Sequence, residues 1–151
     1  MNRDLQIRID DLSSPEIISL LQEHMTEMHA VSPPESTHAL DLEALRDPAV
    51  TFWSAWVADD LAACGALKRL DSVHAEIKSM RTTARFRGGG VASALLRHIL
   101  LEARRAGYER LSLETGSMAW FEPARRLYLK HGFQYCRPFA DYRQDPNSVF
   151  M

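Results

Sequence analysis

The sequence contains little that could cross-link a small protein or hold it in a membrane. Cys64 and Cys136 are its only cysteines, and they form neither a CxxC motif nor a cysteine–histidine cluster. This excludes a disulfide scaffold and disfavours a structural zinc site. No apolar run approaches the roughly 18 residues of a membrane span, and residues 1–9 lack the apolar segment of a signal peptide. We therefore expect a cytoplasmic protein with no membrane partner and no metal.

What the sequence does contain is enough apolar material for one core. Hydrophobic residues make up 46% of the 151 positions and charged residues 25%, which are ordinary values for a globular protein. A chain of this length can bury most of the surface that its unfolded state exposes. We expect a single domain over residues 1–151.

Charge is divided unevenly along the chain. Residues 1–60 hold twelve acidic and three basic residues, whereas residues 61–151 hold eight acidic and fifteen basic ones. If the halves form opposite walls of a site, the basic half suits a polyanion and the acidic half suits a cation such as an amine. The alternative is ordinary variation of surface charge. The basic residues form no long run and the pI is about 6.3, which disfavours a nucleic-acid partner.

Hydrophobic periodicity predicts a mixed α/β sandwich with helices on both faces of the sheet. The first helix is expected to begin at Ser13 or Ser14. Its predicted apolar face consists of Ile17, Ile18, Leu21, Met25 and Met28. A loop follows at Pro33 and Pro34. The expected strands are 5–9, 52–58, 61–70, 73–81, 111–115, 133–136 and 148–151, with the second to fourth forming an antiparallel meander, and the further helices are 40–46, 91–106 and 122–130.

A glycine-rich turn joins the meander to the most regular helix of the chain. It reads Arg85-Phe86-Arg87-Gly88-Gly89-Gly90-Val91-Ala92. Glycines allow backbone N–H groups to approach an oxyanion closely, and the first turn of the helix adds the positive end of its dipole. The turn is neither a Walker A motif nor a Gly-x-Gly-x-x-Gly motif. It predicts a phosphate site, the alternative being a flexible connector.

Three motifs, in this order, resemble the GNAT superfamily of acetyltransferases. Arg87–Ala92 is similar to the Arg/Gln-x-x-Gly-x-Gly/Ala signature of that family. Ala75–Ile77, followed by Met80, is similar to its central strand, and Ala124–Phe133 is similar to its late helix, which usually ends in Leu-Tyr-x-x-x-Gly-Phe. The resemblance is strong over about residues 50–137.

This resemblance implies acetyl-coenzyme A (acetyl-CoA) as co-substrate, bound where a central pair of parallel strands splays apart. The pantetheine arm would pair with the main chain of the fourth strand, and one N–H there would stabilise the oxyanion. Arg85 or Arg87 would add charge to the pyrophosphate site, and Arg125 or Arg126 would reach the remaining phosphate. The main-chain contacts implied are Met80, Arg81 and Thr82 for the pantetheine arm and Gly88, Gly89, Gly90, Val91 and Ala92 for the pyrophosphate.

Two side chains match catalytic positions of the family. Glu76 is the candidate general base, which an amine acceptor requires because its ammonium form cannot attack; alternatively it is a strand carboxylate paired with Lys78 or an arginine. His74, two residues away on the same strand face, can assist. Tyr128 matches the tyrosine that protonates the departing thiolate, the alternative being a packing role. Phe121 stands where many relatives have asparagine, so that one pantetheine contact is expected to differ.

We therefore expect an N-acetyltransferase that moves an acetyl group to a small amine or a peptide amine by direct attack in a ternary complex. The alternatives are a non-catalytic CoA-binding module and a nucleotide-binding protein. The acidic residues Glu23, Glu27 and Glu35 suit a cationic acceptor. The resemblance also favours a homodimer.

Overall fold

The computed structural model describes residues 4–32 and 42–151, which form one six-stranded sheet with helices on both faces. The predicted loop at Pro33 and Pro34, together with Glu35 and residues 40–41, lies outside this part of the chain. The elements are β1 (Leu5–Ile9), α1 (Pro15–Val31), α2 (Leu42–Leu45), β2 (Val50–Val57), β3 (Asp60–Arg69), β4 (His74–Thr82), α3 (Val91–Arg105), β5 (Arg110–Gly116), α4 (Glu122–Lys130) and β6 (Ser148–Phe150).

The strands lie in the sheet in the order in which they occur along the chain. Strands β1 to β4 are antiparallel, β4 and β5 are parallel, and β6 returns antiparallel to β5. The parallel pair requires a long crossover, which α3 supplies. The predicted mixed sheet and meander are therefore confirmed.

Each face of the sheet has its own apolar cluster. One cluster contains the buried stripe of α3, including Leu95, Leu96 and Ile99, together with Tyr128 of α4. The other contains Ile17, Leu20 and Leu21 of α1 and Leu45 of α2. Within the described residues, no helix is long and apolar enough to cross a membrane.

Helix α1 begins as the sequence predicts, but it buries a slightly different face. The Ser14 hydroxyl accepts a hydrogen bond from the Ile17 N–H at 3.2 Å, which satisfies one of the free donors of the first turn. The buried residues are Ile17, Leu20, Leu21 and His24, whereas Ile18 and Met25 are only half-buried. About half of the residues of this helix are apolar, and packing against the sheet determines which of them are buried.

The predicted strand at 133–136 is wrong. Only Cys136 makes an isolated bridge, to Phe150. The Phe133 N–H instead donates to the Tyr128 carbonyl at 3.0 Å and thereby closes the end of α4, after the left-handed turn at Gly132 (φ +94°). The Phe133 N–H is therefore part of the helix cap and does not pair with a neighbouring strand.

Strands β4 and β5 pair only along their first halves. Their register runs from His74 opposite Arg110 to Ile77 opposite Leu113 and then ends.

Strand β4 is also irregular on its other side: Ser79 has φ +57°, and the pairing with β3 shifts register between Cys64 and Ala66. A bulge of this kind bends the strand. The implied splay of the central pair is therefore present.

Candidate active site

A cavity of about 820 Å³ opens where β4 and β5 part. One wall is β4 beyond Ile77, and the opposite wall is the end of β5 with the start and middle of α4. The glycine turn and the first turn of α3 close one end, and His24 and Met28 of α1 reach the cavity from the other face. Five elements that are distant in sequence therefore meet at the break in the sheet.

The end of the cavity at α3 is suited to an anion. Gly90 is the N-cap of α3 with φ +84°, a conformation that costs glycine little and a branched residue much more. Gly88, Val91 and Ala92 line the cavity beside it. The N–H groups of the first helical turn have no partner within the helix. The cations Arg87 and Lys130 line the same cavity.

Three residues predicted for the cofactor do not line this cavity. Arg85 is exposed and forms an ion pair with Asp60 at 2.9 Å. Gly89 is exposed and lies outside the lining. Arg125 donates to the carbonyl oxygens of Gly116 and Met118 at 2.7 and 2.9 Å, so it holds the segment between β5 and α4. The other predicted contacts, Met80, Arg81, Thr82, Arg87, Gly88, Gly90, Val91 and Ala92, all line the cavity.

Tyr128 of α4 lies in the cavity wall and is 6% exposed. Its ring packs edge-on against Phe133, with ring centroids 5.7 Å apart. In the described part of the chain the hydroxyl has no hydrogen-bond partner. Burial raises the pKa of Tyr128 well above its ordinary value, so the phenol remains protonated near neutral pH. Tyr128 is therefore a proton donor whose hydroxyl donates no hydrogen bond to another described residue.

Phe121, which replaces the usual asparagine, is buried and lines the cavity. It packs directly over Gly116, because a Cβ at that glycine would lie 2.1 Å from the Phe121 ring. The substitution therefore replaces a polar contact with an aromatic wall, and it requires glycine at the end of β5.

Glu76 does not lie in this cavity. Its carboxylate accepts hydrogen bonds from Lys78 Nζ at 3.0 Å and from the Tyr142 hydroxyl at 2.5 Å, and the residue is 3% exposed. His74 is likewise engaged, with Nε2 2.7 Å from the Ser112 hydroxyl. The geometry does not support the base hypothesis for Glu76; it agrees with the alternative of a strand carboxylate paired with Lys78.

Glu114, near the end of β5, is the carboxylate that does line the cavity, and our sequence reasoning missed it. Burial raises the pKa of Glu114 to about 7 from 4.5; the charge of Glu76 acts in the same direction, and Ser148 and Lys78 oppose it. A base with this pKa is half-ionised near neutrality. A usable signal was present, since ligand sites in α/β sheets lie at the carboxyl ends of parallel strands.

Charged residues connect α1 to β4 along the same cavity. Arg81, whose side chain is 5% exposed, forms ion pairs with Glu23 at 2.5 Å and Glu27 at 2.8 Å. His24, between these glutamates, lines the cavity, and burial, aided by the charge of Arg81, lowers its pKa to about 4. It is therefore neutral at physiological pH. These contacts hold α1 across the open half of β4.

Comparison with known proteins identifies the family. The model of the acetyltransferase (GNAT) family matches residues 15–133. The uncharacterized N-acetyltransferase YsnE of Bacillus subtilis is 63% identical over 147 residues, which cover 97% of each chain. The chain belongs to the GNAT family of acetyltransferases. The uncharacterized N-acetyltransferase YedL of Escherichia coli is 54% identical over 145 residues, covering 96% of this chain and 91% of YedL.

Solved structures agree with this GNAT assignment in fold. A Klebsiella pneumoniae protein superposes with a TM-score of 0.78 at 24% identity, covering 97% of this chain and 94% of that one. A GNAT family acetyltransferase from Elizabethkingia anophelis with acetyl-CoA bound gives a TM-score of 0.66 at 17% identity, covering 99% and 98% of the two chains. The resemblance inferred from three motifs is confirmed, and the chain is an acyltransferase.

The cavity brings together groups that are suited to anion binding and to proton transfer. Among residues 4–32 and 42–151, no cluster of three or more histidine, cysteine or acidic side chains is arranged to hold a metal ion. The cavity combines a phosphate-compatible end at α3 with a buried phenol and a carboxyl of near-neutral pKa close to the splay.

Proposed function

We propose that this chain transfers an acetyl group from acetyl-CoA to a primary amine by direct attack in a ternary complex. The observation that carries the proposal is the position of Tyr128 and Glu114 in one cavity with the glycine turn of α3. A proton donor, a proton acceptor and an anion site are the three functions that this reaction needs from a protein.

The cavity is compatible with the extended, phosphate-bearing co-substrate. Its volume of about 820 Å³ lies within the ordinary range of ligand sites. First-turn N–H groups of α3 and the side chain of Arg87 would hold the pyrophosphate. Beyond Ile77, β4 has no paired β5 residue in the described register, which leaves its edge available to pair with the amide groups of the pantetheine arm.

Each catalytic side chain then has one role. Glu114 would accept the proton of the acceptor ammonium, because its pKa of about 7 leaves a large ionised fraction at neutral pH. Backbone N–H groups of β4 between Met80 and Thr82 would stabilise the charge that develops on the carbonyl oxygen. The amine nitrogen bonds to the acetyl carbon, and as the C–S bond then breaks, Tyr128 would supply the proton that converts the thiolate into a thiol. The phenolate would regain a proton from the nitrogen, which must lose one to become the amide.

Initial rates of CoA thiol release, measured while acetyl-CoA and a primary amine are varied, test this proposal. A ternary complex predicts intersecting double-reciprocal lines and no acetylated enzyme in the absence of amine. Parallel lines with an acetyl-enzyme detected by mass spectrometry would contradict direct attack.

Tyr128→Phe tests the acid role. General acid catalysis is worth about 10²–10⁴-fold, so we expect kcat to fall by about a hundredfold while acetyl-CoA affinity changes little. The matched control is Tyr108→Phe, a half-buried tyrosine outside the cavity. Turnover that is unchanged in Tyr128→Phe would exclude the phenol as the acid.

A further inference from the structure

A second cavity, of about 480 Å³, is next to the first, with which it shares Lys78. Its walls are the end of β3, the Glu76–Lys78 part of β4 and residues 140–145. Lys78 lines both cavities. Because β4 and β5 separate immediately beyond Ile77 and Leu113, the two cavities approach each other at the break in the sheet. Glu114, which lines the first cavity, is close enough to Lys78 and Glu76 for their charges to act on its pKa.

Two cations of this second cavity form no ion pair with another described residue. The negative charge of Glu76 is balanced by its ion pair with Lys78, and its carboxylate also accepts a hydrogen bond from the Tyr142 hydroxyl. Lys68, opposite Glu76 on β3, and Arg143 both line the cavity. Within the described part of the chain, neither has an ion-pair or hydrogen-bonding partner. Two cations are thus available to a ligand.

Within the described part of the chain, none of the three acidic residues of the same cavity forms an ion pair with Lys68 or Arg143. Asp145 accepts a hydrogen bond from the Asn147 N–H at 2.8 Å and is part of a local turn. Asp141 and Arg143 are both exposed, so solvent screens the charge of each. The carboxylate of Glu76 is the buried acidic group of the set, and it is already paired.

We propose that the acceptor is an amine that also carries a carboxylate, as an amino acid does, with the carboxylate bound by Lys68 and Arg143. Its amino group would extend past Lys78 to Glu114, which takes the proton. This inference rests on the proposed acetyl transfer and adds the chemical class of the acceptor. A carboxylate held by two cations is a strong recognition element, because hydrogen bonds to charged groups are worth more than neutral ones.

Matched pairs of acceptors test the inference directly. Each pair consists of a free amino acid and its C-terminal amide, which share the amine and the side chain and differ in the carboxylate. The wild type should acetylate the acid with kcat/KM at least about tenfold above that of the amide. In the Lys68→Met, Arg143→Met double variant this preference should fall to about one. The control is Arg104→Met, an exposed arginine of α3 outside both cavities, which should keep it.

A binding measurement gives a second readout that does not depend on turnover. With CoA present, the N-acetylated amino acid should raise the melting temperature of the wild type more than its amide does, and the double variant should lose that difference. Equal kcat/KM for acid and amide, or a preference that survives in the double variant, would overturn the carboxylate assignment while leaving acetyl transfer intact. Binding of acetyl-CoA without acetylation of any amine would instead overturn the proposed function.

Discussion

Replacing Glu114 with glutamine should change how the stability of the protein depends on pH. The folded-state pKa of Glu114 is about 7, and its ordinary value is 4.5. Between these two values the unfolded chain releases the proton while the folded protein retains it. The free energy of unfolding therefore decreases as pH rises, by about 1.4 kcal/mol for each pH unit at most.

The total effect follows from the width of this interval. From pH 4.5 to 7 the wild type should lose up to about 3 kcal/mol that Glu114→Gln does not lose. Glutamine keeps the size of the side chain and cannot ionise. The free energy of unfolding of the variant minus that of the wild type should therefore increase through this interval and become constant above it.

Urea unfolding of the unliganded protein, at several pH values across this interval, provides the measurement. Taking the difference between variant and wild type removes the contributions of other groups, including His24, whose pKa is lowered to about 4. Glu109→Gln, at an exposed glutamate just before β5, is the control and should show a much flatter difference. A flat difference for Glu114→Gln as well would refute the reasoning, since Glu114 would then ionise as a solvated carboxyl does.

The same ionisation should appear in the kinetics. Glu114 acts as a base only when ionised, so kcat/KM of the wild type should rise with pH through about 7. Glu114→Gln should lower kcat/KM by about a hundredfold or more and remove that rise. An unaltered profile would assign the base role to another group or to water.

Two glycine substitutions test the remaining parts of the site. Gly90→Val should weaken CoA binding beyond its effect on stability, as measured by calorimetric titration, whereas Gly107→Val, at the other end of α3 and with a similar φ of +92°, should lose stability and keep its CoA affinity. Gly116→Ala should cost about 1–3 kcal/mol in urea unfolding, because its Cβ would lie 2.1 Å from the Phe121 ring. The double variant Gly116→Ala, Phe121→Ala should lose less stability than the sum of the losses of the two single variants. A loss equal to that sum would contradict the packing of Phe121 on Gly116.

The sequence was most informative where a local pattern determines a local structure. Ser14 and Pro15 define the start of α1, Gly90 defines the start of α3, and the apolar stripe of α3 defines its buried face. The glycine turn, the Ala75–Ile77 strand and the Leu-Tyr motif together predicted the family. These features depend on residues close together in the chain, so one sequence contains them in full.

The site was harder to predict because it depends on where β4 and β5 separate and on contacts between residues that are distant in the chain. Glu76 matched a family position, but its carboxylate is paired with Lys78 and Tyr142, and Tyr142 is distant in sequence. Glu114 reaches the cavity because β4 and β5 separate after Leu113. The segment after Gly132 has strand composition, yet the Phe133 N–H completes the cap of α4. In each case a long-range or backbone contact decided the outcome.

The most direct test of the central claim is to incubate the wild-type protein with acetyl-CoA and a panel of primary amines, and to measure released thiol and acetylated product together by mass spectrometry. We expect catalytic turnover, with one acetylated amine formed for each thiol released, and a strong loss of both products in Tyr128→Phe and in Glu114→Gln. Binding of CoA without formation of any acetylated amine would contradict the proposed acetyl transfer. Turnover at the wild-type rate in both variants would contradict the roles assigned to Tyr128 and Glu114.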